Sequence, residues 1–252
     1  MSALVIAAFT FAGVFGSALC GVLLRRVIPD EHLTEEAKDV VKLSMGLVAT
    51  MTALLLGLLV ASAKGAYDAK KAEVAQMAAR IAYLDQTLVN YGPGAADSRL
   101  LLRAIVERMI SKIWPETPAA AALADDPSGF RSERLFDAIE KLTPADDLQR
   151  SLKTQAMTAT SDLSQMRWLL AEQGDSSISG PLLIIVISWL ALLFLSFALF
   201  APPNVVVLVS LLVAAASVSG GILLILELDR PFDGFVRISD QPMRHTLTYL
   251  AR

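Results

Sequence analysis

Seven residues recur at steps of three and four along one stretch of this chain: Lys42, Gly46, Thr50, Ala53, Gly57, Ala61 and Lys64. At the pitch of an α-helix they share one face, and Asp39 and Asp68 extend it at either end. Between its charged ends this face is small and weakly polar. Two chemistries use such a face. Small residues let helix backbones approach closely in lipid, which makes a packing seam. Turned towards a central axis by oligomerisation, the same face lines a pore, with Lys42 and Lys64 setting the electrostatics at its mouths. Comparable ladders occur elsewhere, at Gly13, Gly16, Ser17 and Cys20 and again at Ser210, Ala214, Ser217 and Gly221, so packing alone can account for the pattern.

A second constellation lies in LELDRPFDGFVRISDQPMRH, where Asp229, Arg230, Pro231, Phe232, Asp233, Gly234 and Arg237 crowd together. Pro231 ends a helix, Asp233 and Gly234 form a turn, and Phe232 and Phe235 are placed to anchor at a membrane interface. Asp229, Asp233 and Asp240 offer oxygen ligands for a divalent cation, but their spacing is not that of an EF-hand loop and no metal is expected. His32 and His245 stand alone, and there is no Walker loop, nucleophile elbow or dinucleotide fingerprint. No catalytic residue or cofactor is expected, and the chain reads as something other than an enzyme. Cys20, the single cysteine, sits in an apolar window as a packing residue.

The elements that position these residues follow from hydropathy. Of 252 residues 54% are hydrophobic and 19% charged, too apolar for an ordinary soluble domain. Four nearly uncharged windows explain it: residues 2–24, 43–63, 181–200 and 205–226. Each approaches the roughly 20 residues a helix needs to cross the hydrocarbon layer. The first lacks a basic leader and is longer than a signal-peptide core, so it reads as a retained helix. No window holds an ionisable group at mid-depth, which argues against a proton pump or ion-coupled transporter. The net charge of -3 and the lack of a basic stripe argue against nucleic acid.

The expected fold is therefore all-α, a polytopic membrane protein with four transmembrane helices and a helical extramembrane bundle inserted between the second and third. Residues 1–63 form a first hairpin, 64–179 the insert, 180–226 a second hairpin turned by APPN, and 227–252 a membrane-proximal tail. The second membrane helix runs on into the insert, where Val74, Met77, Ile81, Leu84, Leu88 and Tyr91 have the spacing of a coiled-coil seam. YGPG ends it. Asp97 is expected to cap a second insert helix with Leu101, Ile105, Met109 and Ile113 on one face, and WPETP breaks it. A short helix over 132–142 comes next. Thr143 is expected to cap a last one carrying Leu152, Ala156, Ala159, Leu163, Met166 and Leu170, which ends before GDSSISGP. Lys64, Lys70, Lys71, Arg167, Arg230, Arg237 and Arg244 outnumber Arg25, Arg26, Lys38 and Lys42, which places the insert and both termini in the cytoplasm; a periplasmic insert is the alternative.

Three stretches together resemble a family of bacterial membrane proteins of unknown function, usually labelled bestrophin-like: PDEHLTEEAKDVVKLSMGLVATMTALLLGLLVASAKGAYD, LDQTLVNYGPGAADSRLLLR and ELDRPFDGFVRISDQPMR. The resemblance implies an inner-membrane protein. Bestrophins are oligomeric anion channels with four membrane helices per subunit and a large helical cytosolic region between the second and third, a layout similar to this one. This chain has no dense acidic run like the bestrophin calcium clasp and no aromatic on its second helix like the bestrophin neck, so calcium gating is not implied. The expected function is passive anion conduction, chloride first, by a homo-oligomer whose second helix lines the pore. The competing expectation is a non-conducting scaffold or signalling protein whose insert binds a partner. Expected partners are the lipid bilayer, further copies of the chain and small anions.

Overall fold

The computed structural model describes residues 2–29, 34–114, 132–172, 180–202, 204–232 and 234–250. The described chain is helical and has no strand. Its α-helices are α1 (Ala3–Val27), α2 (Glu35–Tyr91), α3 (Ala96–Ile113), α4 (Ser132–Glu140), α5 (Asp147–Glu172), α6 (Gly180–Phe200), α7 (Val205–Leu228) and α8 (Gln241–Leu250). Four of them, α1, α2, α6 and α7, are long and apolar enough to cross a membrane. His32, Pro203, Asp233, residues 115–118 of WPETP and the GDSSISGP break at 174–179 lie outside the described residues, as does the side chain of Leu170.

The chain divides into two compact units, Met1–Tyr67 with Ser176–Val236, and Asp68–Asp175 with Arg237–Arg252. The first is built on a close approach of α1 to α6. The Ser17 hydroxyl donates to the Ala191 carbonyl at 2.8 Å, and the Arg25 guanidinium donates to the Ala201 carbonyl at the end of α6. Between them, a Cβ at Gly21 would collide with the Leu195 carbonyl oxygen and lie 3.0 Å from the Ala198 methyl. Rising numbers on α1 thus meet rising numbers on α6, so the two run parallel. Lipid supplies no hydrophobic drive between helices, and association rests on this kind of backbone proximity and interhelical hydrogen bonding. Around the seam Val14, Ala18, Val186, Leu190, Ala215 and Ile222 form the buried apolar cluster.

In the second unit α2 supplies the spine. Val74, Met77, Ile81, Leu84, Leu88 and Tyr91 are all buried, as their spacing predicts. Gly92, at φ 103, ends the helix in a conformation that favours glycine. Pro93–Ala95 make a 3-10 turn that leads directly into α3, so Ala95 is the N-cap and Asp97 lies inside the first turn, not at the cap as its residue type predicts. The buried face of α3 is Ser98, Leu102, Val106, Met109 and Ile110, about one position round from the predicted face. α5 likewise starts at Asp147, after the predicted cap at Thr143. Asp146 accepts from the Gln149 amide at 2.7 Å, and the Gln149 side chain returns to the Ala145 amide at 2.8 Å, a reciprocal cap in the manner of a capping box. Gln149 also donates to the Tyr91 carbonyl at 3.1 Å, joining the end of α2 to the start of α5.

Two polar links fasten this unit. Asp85, 7% exposed, takes both a 2.8 Å and a 3.2 Å hydrogen bond from Arg99, a forked pairing between α2 and α3. The bond to Asp85 holds the Arg99 guanidinium above its ordinary pKa. The Trp114 indole donates to the Ile238 carbonyl at 2.8 Å, and the Thr246 hydroxyl donates to the Ala78 carbonyl at 3.3 Å, so the segment from 237 onward belongs to this bundle.

Two stability predictions follow from these contacts. Gly21→Val forces apart the α1 and α6 backbones, and overpacking of this kind costs about 1–3 kcal/mol; the thermal midpoint of purified protein in detergent should fall, whereas Gly13→Val, where an added Cβ meets nothing within 4 Å, should leave it nearly unchanged. Asp85→Asn removes the charge that Arg99 is paired with and should cost about 2 kcal/mol, read as earlier loss of helical signal in urea.

Candidate functional site

The face carrying Lys42, Gly46, Thr50, Ala53, Gly57, Ala61 and Lys64 is exposed at every position. The buried face of the same helical segment is a different one: Thr52, Leu59 and Ala63 are at most 3% exposed, and Met45, Val48, Ala49, Leu55 and Leu56 are half-buried around them. At 3.6 residues per turn the two faces are well over 90° apart. A third face presents Leu47, Met51, Leu54 and Leu58, large and exposed, as suits lipid or a neighbouring subunit. The small stripe is therefore not used for packing inside one protomer.

The glycines show this most directly. A Cβ built at Gly46 or Gly57 meets nothing within 4 Å, in contrast to Gly21, where the neighbouring backbone needs the space. The Thr50 hydroxyl donates to its own helix at the Gly46 carbonyl, 2.9 Å away, so its proton is already committed. At one end Lys42 sits 3.4 Å from Asp39, both well exposed, a pairing of little energetic weight. At the other end the Lys64 ammonium lies 5.3 Å from the centre of the Tyr67 ring, within cation–π range.

The ladders on the other spans divide differently. Ser17 is engaged with α6, while Gly13 and Cys20 of α1 and Ser210, Ala214, Ser217 and Gly221 of α7 are exposed. Small faces are thus presented outward by three of the four spans. The tail residues gather round a group that their spacing did not single out. Glu227, in the last turn of α7, is 7% exposed and accepts from the Phe235 amide at 2.5 Å. Gly234 has φ 86, and a Cβ there would fall on the Glu227 carboxylate. Asp229 is the C-cap of α7, Arg230 is exposed, Pro231 and Phe232 are half-buried, and Arg237 is exposed. Only the glycine hinted at Glu227, through a turn that demands positive φ.

A bestrophin-like domain model matches residues 11–243, nearly the whole chain. The chain belongs to the bestrophin-like family. No curated protein and no solved structure matches it. A groove of about 430 Å³ in the second unit is lined by Asp97, Ser98, Arg134, Asp137 and Lys141, without the imidazole or thiol that a nucleophile and base pair normally includes. Among the described residues no three His, Cys, Asp or Glu side chains are grouped to hold a metal.

The face assignment predicts a pattern of thiol reactivity. On a Cys20→Ser background, single cysteines at 52, 59 and 63 should resist a membrane-impermeant thiol reagent, while cysteines at 46, 50, 53 and 57 should be modified in the assembled protein if water reaches the stripe. Equal reactivity round the helix would contradict the faces described.

Proposed function

We propose that this bestrophin-like protein is the subunit of a homo-oligomeric channel that conducts small anions, chloride first, passively across the bacterial inner membrane. α2 lines the pore. Lys42 and Lys64 attract anions at its two mouths, Gly46, Thr50, Ala53, Gly57 and Ala61 line the path, and Thr50 and Ala53 stand near the narrow part. The observation that carries this reading is the exposed small stripe on a helix whose opposite face is buried in its own subunit. A pore wall of this kind has no bulk to occlude it and carries fixed charge only at its ends.

In this reading residues 64–179 are an insert between the second and third membrane helices, on the cytoplasmic side with both termini. Parallel α1 and α6 agree with that topology, because two spans that cross in the same direction require a crossing between them, and α2 has the apolar segment to make it. The reaction is translocation, and no group is asked to transfer a proton or form a bond.

A second reading is a non-conducting scaffold or signalling protein whose helical insert binds a partner. Its support is that α1 and α7 also present small exposed faces, as subunit seams without a pore would.

Chloride and potassium flux from liposomes containing the purified protein separates the two. Chloride flux should exceed potassium flux, and Lys42→Glu or Lys64→Glu should suppress it. Gly57→Leu should block flux with the oligomer intact. Flux of neither ion from folded oligomer, or loss of assembly in Gly57→Leu, would favour the seam and the scaffold.

A further inference from the structure

A charged side chain in the last turn of a membrane-spanning helix is costly unless it is paired, and a carboxylate there is also repelled by the carbonyl end of the helix dipole. Glu227 is in that position on α7, the residue before the final Leu228, and is buried. What satisfies it is the chain itself folding back. The segment after α7 returns so that the Phe235 amide donates to the Glu227 carboxylate at 2.5 Å. Gly234 permits the return twice over, by its positive φ and by having no Cβ to strike the carboxylate. Val236 then packs against the apolar cluster of the first unit.

This geometry fixes the height of Phe235. Eight residues of free chain beyond Glu227 could extend roughly 25 Å into water. The hydrogen bond instead holds Phe235 level with the last turn of a helix that is long and apolar enough to cross the membrane. There Phe235 is 81% exposed, between a glycine that braces the loop and a valine that faces inward. Three residues past Glu227, Arg230 is exposed as well. An outward aromatic ring and an arginine at the level where a span ends are the components of an interfacial anchor: ring among the glycerol and upper acyl groups, guanidinium on phosphate.

We propose that Arg230 and Phe235 form a lipid-binding clamp, braced by Glu227 and Gly234, which inserts Phe235 into the interfacial layer and sets Arg230 on an anionic phospholipid headgroup. The clamp depends on α7 spanning the membrane and not on conduction, so it survives or fails separately from the channel.

The test uses the full chain, with Cys20→Ser and Phe235→Cys carrying a polarity-sensitive fluorophore, in phosphatidylcholine vesicles with or without phosphatidylglycerol. Brominated lipid should quench the fluorophore and aqueous iodide should not. Brominated phosphatidylglycerol should be the better quencher, and Arg230→Gln should lower that preference roughly fivefold, the effect of one basic residue at an anionic surface. Glu227→Ala, which leaves the Phe235 amide no side-chain acceptor, should free the loop, so that iodide quenching appears while the helical signal is retained. Iodide access in the parent protein would overturn the proposal. So would shielding that is equal in lipid-free detergent and unmoved by brominated lipid, the mark of a contact between subunits, and unchanged quenching in Glu227→Ala would overturn the brace.

Discussion

A backbone inside hydrocarbon has no water to bond to, so every amide and carbonyl there must be paired within the protein, and a helix that stops at the membrane surface must cap itself there. This constraint organises the molecule. α2 meets it by not stopping. Its 57 residues are far more than a crossing requires, and the hydrogen-bond ladder continues until Gly92, where a proline turn and the Gln149 side chain take over the last carbonyls. The apolar pattern changes along the way without a break in the backbone. Upstream, one face is buried, one is small and one is large. Downstream, a coiled-coil seam is buried among the helices of the second unit.

The other spans meet the same constraint by capping. α6 ends with its Ala201 carbonyl taken by Arg25 of α1. α7 begins with the Asn204 side chain accepting from the Val206 amide, and it ends under the loop that returns to Glu227. The caps from Arg25 and Asn204 come from polar residues just outside apolar windows. This is why the windows themselves can be almost free of charge, and why small residues inside them are left over for surfaces. Gly21 is used within the subunit, and Gly46 and Gly57 are not. That division separates a small residue used for packing within the subunit from small residues that meet nothing inside it.

Much of the architecture was legible in the chain because period and punctuation agree. The seam from Val74 to Tyr91 is buried throughout, and YGPG stops the helix where it should. Where sequence and structure part, a local signal yields to a competing one. Asp97 has the chemistry of a cap, but the Pro93–Ala95 turn winds the chain one step earlier, and the buried face of α3 turns with it from Leu101 and Ile105 to Leu102 and Val106. Thr143 precedes a proline, yet Asp146 wins because Gln149 can answer it. In the stripe, identity and spacing were legible from residues 42 to 64. Its exposure was not, because a small face reads the same whether it packs or lies open.

Glu227 was passed over for a physical reason. Its partner is a backbone amide eight residues away, and backbone donors leave no mark on a sequence beyond the residues that let them arrive. That mark was present as Gly234, read only as a turn. A glycine at positive φ close behind a membrane helix says that the chain reverses there, and reversal brings amides back over the helix end, where carbonyls and acids need them. The acid at position 227 is then less an intrusion of charge into the membrane than the acceptor round which the exit of α7 is folded. Its burial and the exposure of Phe235 are two sides of one turn: the hydrogen bond that satisfies the carboxylate is donated by the same residue whose ring it turns outward.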